Sequence, residues 1–180
     1  MNNKKAVMIV VALIVIVIII GGVIAGIKAR HFKEEKKIEM PTEFTISYSI
    51  GGGYTTYANA LTRKITLDQD GNVTIELTEK DSLVEPVKYK VDKEKAEKVM
   101  KYFYDNEFYS VKKDLSEDGI TDYTTSYLEV KSNTFNRRVG GYAAGTKSIF
   151  RKFTDEFYTI VDSEVMKKFN DDVTKAYEKE

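Results

Sequence analysis

Twenty-two consecutive residues, 6–27 (AVMIVVALIVIVIIIGGVIAGI), carry no charge and no strongly polar side chain, and this run constrains the chain more than anything after it. As a helix rising 1.5 Å per residue it reaches about 33 Å, enough to cross a hydrocarbon core of about 30 Å with slight tilt. Within lipid only a helix satisfies its own backbone groups, which overrules the strand preference of so many Val and Ile residues. The run predicts a transmembrane helix preceded by a short basic tail at residues 1–5. A cleaved secretory signal would share the basic start at Lys4 and Lys5 and the small-residue stretch Val23-Ile24-Ala25. Signal cores, however, span about 7–15 residues, and this one is longer and ends in the charged stop Lys28, Arg30 and Lys33.

Lys28, Arg30, Lys33, Lys36 and Lys37 outnumber Lys4 and Lys5, a bias that taken alone holds the following domain in the cytoplasm. Glu34, Glu35 and Glu39 are interspersed among them, and long domains translocate largely regardless of charge. The Thr- and Tyr-rich composition without cysteine suits an outer face, so the expectation is a single-pass protein of the cell membrane with an extracytoplasmic domain. Gly22 and Gly26 place small residues four apart, a possible pairing face for a helix-mediated dimer.

The 153 residues after the run suffice for one domain with its own core. They divide into a charge-dense juxtamembrane stalk, 28–41, and a single soluble domain, 42–180. All 28 acidic residues lie here with all but two of the 28 Lys and Arg, and so balanced a surface argues against nucleic acid. Without cysteine there is no disulfide, no lipid attachment through a thiol, no Cys-ligated metal and no thiol nucleophile. His31, the only histidine, lies beside the membrane among cations, so a Ser-His-Asp triad or a multi-histidine zinc site lacks its parts. No cofactor is expected.

Within the domain, Phe44, Ile46, Tyr48 and Ile50 alternate with Thr45, Ser47 and Ser49, the period of a half-buried strand, which Gly51-Gly52-Gly53 is expected to end. A polar loop over 54–60 leads to a hairpin of strands 61–67 and 73–77 about Asp68-Gln69-Asp70-Gly71-Asn72. Val87, Tyr89 and Val91 suggest a further strand. Asp92 opens a helix with Ala96, Val99, Met100 and Phe103 on one face and lysines opposite, ending near Asn106. Phe108 and Val111 fold back on the core before a loop over 114–122. Strands 123–130 and 135–139 form a second hairpin, Gly140, Gly141 and Gly145 break the chain, and a helix begins at Thr146 with Ile149, Phe150, Phe153, Phe157 and Ile160 on one face. Val165, Met166, Phe169 and Val173 continue it or form a terminal helix. This ββ-α-ββ-α order predicts an α+β fold, an antiparallel sheet with helices packed on one face.

The pattern resembles a family of uncharacterised envelope-associated domains in which a strand, D-G turn, strand hairpin precedes a helix ending in a Phe- and Tyr-rich segment. The matching stretches are 65–75 with Asp70-Gly71, 99–109 and 123–130, about two-thirds of the soluble part. The resemblance implies the fold and brings no activity with it.

Four local features bear on function. Asp68, Asp70, Asn72 and Glu79 take positions 1, 3, 5 and 12 of a calcium loop, but position 6, where Gly is required, is Val73, and a strand rather than a helix leads in. A hairpin turn accounts for the same residues, so no metal site is expected; Asn72-Val73-Thr74 is also a glycosylation sequon. Gly140 to Ser148 mimics a phosphate loop, but Thr146 intervenes between Gly145 and Lys147 and the parallel βαβ setting is missing. What survives is an anion- or carboxylate-binding helix start at Gly145, Thr146, Lys147 and Ser148. Gly51, Gly52, Gly53, Tyr54 and Tyr57 form a candidate loop for a peptide or glycan. The carboxylate pairs Asp114 with Asp118 and Asp171 with Asp172 fit solvated surfaces better than glycosidic catalysis.

The expected function is a noncatalytic membrane-anchored binding module of the cell envelope, holding the bilayer through 6–27 and a protein, peptide or cell-wall partner through its domain. The alternative is a tethered enzyme acting on a phosphorylated or glycosidic substrate. Protease added to intact source cells should digest the domain and leave the anchor in the membrane; a domain protected until the bilayer is broken would reverse the orientation.

Overall fold

A computed structural model of the chain describes residues 38–53, 57–78 and 83–179, without the side chains of Tyr57 and Asn59. The run at 6–27, its Gly22 and Gly26, His31, Tyr54 and Glu79 lie outside the described residues. Among the described residues no helix is long and apolar enough to cross a membrane.

Six strands, β1 (Phe44–Gly52), β2 (Arg63–Asp68), β3 (Asn72–Leu77), β4 (Val87–Lys90), β5 (Thr124–Ser132) and β6 (Asn136–Tyr142), form one antiparallel sheet in the order β4-β3-β2-β1-β5-β6. Three helices accompany it, α1 (Lys93–Asp105), α2 (Ser148–Tyr158) and α3 (Ser163–Tyr177), so the fold is α+β. Residue parity decides which sheet face is covered. Ile46 lies opposite Leu67 on β2 and Val130 on β5, and Tyr48 opposite Ile65 and Leu128, so apolar side chains of neighbouring strands share one face. Onto that face α1 buries Ala96, Val99, Met100 and Phe103, α2 buries Phe150, Phe153 and Phe157, and α3 buries Phe169 and Val173. Phe103, Phe108 and Phe153 pack ring to ring with centroids 4.9–5.1 Å apart, in tilted and edge-on arrangements.

The β2–β3 turn is held by Asp68, whose Oδ1 accepts from the backbone N–H of Asp70 and of Asn72, each at 2.9 Å. Gly71 follows at φ +82°, and a Cβ there would collide with the carbonyl oxygen of Val91. The last two helices are distinct because the chain turns at Thr159–Asp162. Tyr89 Oη donates to the Ile160 carbonyl at 3.2 Å and accepts from Asp162 N–H at 3.1 Å, and Asp162 then caps α3 by accepting from Glu164 and Val165 N–H.

Several local expectations are corrected by the tertiary pairing. Gly51 and Gly52 do not end β1: they pair with Thr125 and Thr124, and Gly51 is needed because a Cβ would meet Thr62. The segment expected as a loop over 54–60 contains a helical turn, Tyr57–Ala60. Gly140 and Gly141 lie within β6 rather than breaking it; their φ angles of +149° and +138° suit glycine, and a Cβ on Gly140 would strike β5. The start of the loop expected over 114–122 runs, with Lys113, beside β6, Leu115 N–H donating to the Gly140 carbonyl at 2.8 Å and Gly140 N–H to that of Lys113 at 2.9 Å. A 3-10 turn, Ala144–Thr146, precedes α2, which starts at Ser148 rather than Thr146.

Gly71→Ala should destabilise the domain by roughly 1–3 kcal/mol, because it adds both left-handed strain and a backbone collision. Gly145 has open space and no positive φ, so Gly145→Ala should leave the urea midpoint unchanged or slightly raised. Equal midpoints for the two variants would contradict this account of the turn.

Candidate functional site

The sheet face opposite the helices carries a polar trough. On β1 the outward positions are Ser47, Ser49 and Gly51, all short, and they form its floor. Long side chains on the neighbouring strands form the walls: Lys64 on β2, paired with Glu76 on β3 at 3.2 Å, and Tyr127, Glu129 and Arg138 on β5 and β6. The register aligns them in two rows. One runs Glu76, Lys64, Ser49, Tyr127; the other runs Thr74, Thr66, Ser47, Glu129, Arg138. The Arg138 guanidinium lies over the Tyr127 ring, 4.1 Å from its centroid. Thr62, Thr78, Thr125 and Gly52 complete a concavity of about 630 Å³, within the volume range of small-molecule sites.

Chemically the trough offers hydroxyls, the cations Lys64 and Arg138, the carboxylate Glu129 and the ring of Tyr127. Glu76 and Glu129 stand three strands apart, about 14 Å between backbones at the usual strand spacing. Each is also engaged by a lysine, Glu76 by Lys64 and Glu129 by Lys131 at 3.7 Å. Among the described residues no group of three or more His, Cys, Asp or Glu side chains could hold a metal.

No protein-family model matches the chain, and no curated protein sequence is significantly similar to it. The resemblance drawn from the D-G hairpin and the aromatic helix end adds no functional residue to this geometry.

The sequence-predicted residues fall in three places. Gly51 and Gly52, from the Gly-Tyr loop, line the trough, while Gly53 follows at φ +91° beside Thr124. Thr146 and Lys147 face an internal carboxylate: Glu117 Oε2 lies 2.8 Å from Thr146 Oγ1 and 2.7 Å from Lys147 Nζ. Gly145 and Ser148 flank this pair, exposed. Asp68, first residue of the calcium-like pattern, has its carboxylate turned onto its own turn, accepting also from Asn72 Nδ2 at 2.8 Å, while Asp70 lies 3.8 Å from Lys93. Partial burial pushes the Asp68 carboxyl up, but the bonds from Asn72 and Asp70 and the charge of Lys90 outweigh it, leaving it below the usual carboxylate range. Of the carboxylate pairs, Asp114 accepts from Ser116 N–H and Asp171 bonds Lys167 at 2.8 Å.

Ser47, Ser49, Tyr127, Glu129 and Arg138 are site residues that sequence reasoning missed. Their signal was present as the polar half of each alternating strand, but only the pairing of β1 with β5 brings them together.

The hydrogen bonds from Lys147 and Thr146 hold the Glu117 carboxyl below its ordinary range. A depressed folded pKa contributes stability that is present above the unfolded value, about 4.3, and lost as pH falls through the folded one. Glu117→Gln should therefore lower the urea midpoint at pH 7 and reduce its decline on acidification. An identical pH profile for variant and parent would show that this contact contributes nothing.

Proposed function

We propose that this chain is a single-pass, membrane-anchored, noncatalytic binding module of the cell envelope, holding a polar ligand in the trough on the outer face of its sheet. The observation that carries the reading is the trough itself: a floor of short hydroxyl and glycine residues between charged and aromatic walls, built on the rigid centre of a six-stranded sheet. The 22-residue apolar run supports the anchor, and the expected extracytoplasmic placement puts the trough within reach of envelope components. Gly22 and Gly26 would let two anchors pair and present two troughs together.

The convergence of side chains from several strands in one concavity is also what a tethered enzyme would need. Against that reading stand the pairing of Glu76 and Glu129 with lysines and the occupation of Thr146 and Lys147 by Glu117. Recognition needs none of the missing chemistry.

The test fills the trough. Full-length protein in nanodiscs should be retained by envelope material prepared from the source cells, and Ser49→Trp, which occupies the floor, should weaken retention about tenfold or more. Equal retention of a Ser49→Trp variant with unaltered circular dichroism would overturn the assignment.

A further inference from the structure

We infer that the ligand of the trough is a carboxylate-bearing glycan chain laid along β1, an inference that rests on reading the trough as a binding site. The backbone of β1 is consumed on both edges, by β2 over Thr45–Ile50 and by β5 over Phe44–Gly52. An extended peptide cannot add to it as a strand, so the trough recognises only what side chains can bond. Those side chains are hydroxyls and charges. No aliphatic residue lines the concavity, which leaves no pocket to anchor an apolar peptide side chain or an acyl chain. A chain of hydroxylated rings meets such a surface through hydroxyl-to-hydroxyl hydrogen bonds with Ser47, Ser49 and Thr125.

Charge selects the anionic form of such a chain. Around the trough Lys64 and Arg138 face Glu76 and Glu129, so the selecting charge is the cation that no carboxylate holds. Lys64 has Glu76 as its partner, whereas among the described residues the Arg138 guanidinium meets no carboxylate and rests on the Tyr127 ring. Stacking engages the flat face of a guanidinium and leaves the N–H groups along its edge, the geometry that receives a carboxylate with two parallel hydrogen bonds. The floor from Ser47 to Gly52 extends about 17 Å at strand rise, a length that suits an oligomer rather than a single sugar.

Three probes separate the alternatives, each titrated calorimetrically into full-length protein in detergent micelles: an oligogalacturonide, an uncharged maltooligosaccharide of equal length, and an oligoglutamate peptide. The oligogalacturonide should bind tightest. Arg138→Ala should weaken it about tenfold or more, Arg138→Lys should restore part of that loss, and Lys98→Ala on the exposed side of α1 should change nothing. Should Arg138→Ala fail to fold, Ser49→Trp provides the same test from the floor. Oligoglutamate binding as tightly as the sugar acid, or an oligogalacturonide indifferent to both variants, would overturn the inference. If no probe binds but envelope material is still retained in a Ser49-dependent way, the glycan class falls and the binding module stands; if neither occurs, both fall.

Discussion

Everything in this domain follows from the two-sidedness of β1. Hydrogen-bonded along both edges, the strand has only its faces left to offer. One face carries Phe44, Ile46 and Tyr48 under the helices, where each large side chain taken from water contributes about 1.5–3 kcal/mol. The other carries Thr45, Ser47, Ser49 and Gly51. A slip of one residue would exchange these sets and place hydroxyls beneath Phe150 and Phe157, so the core that fixes the register also fixes the trough. The trough floor is the reverse side of the buried core face of β1, and neither can be shifted without the other.

The sheet also manages its edges. β6 is covered by residues 113–117, latched where Glu117 meets Thr146 and Lys147. Gly141 leaves room for this cover, since a Cβ there would meet Ser116. At the opposite edge β4 is four residues long, follows Pro86 and carries Lys88 and Lys90, devices that discourage strand addition. With one edge covered and the other short and basic, the polar face of the sheet centre is the surface to which the proposed binding is assigned.

Sequence reasoning reached the elements whose causes are local. The Asp70-Gly71 turn, the stripe of Ala96, Val99, Met100 and Phe103, and the alternation of β1 each depend on residues within a turn or two of chain. It failed where distant segments decide. Gly140 and Gly141 look like breakers until β5 and Ser116 are seen to leave no space for side chains. The helix start at Thr146 and Lys147 reads as an open anion site because nothing in the pattern says that Glu117 lies across from it. Likewise Tyr127 and Arg138 are eleven positions apart, and their stacking depends on the pairing of β5 with β6. Two of the five residues of the candidate loop, Gly51 and Gly52, line the trough, carried there by β1.

The chain contains no cysteine, so Ser49→Cys places a single thiol on the trough floor and permits one decisive reading. Its modification rate by a membrane-impermeant maleimide, measured on intact source cells and on the same protein purified in micelles, reports whether the floor is covered in place. The account predicts clearly slower labelling in cells than in micelles, with a thiol introduced by Lys98→Cys on α1 labelled alike in both. Equal rates at Ser49 and Lys98 in the two settings would contradict it.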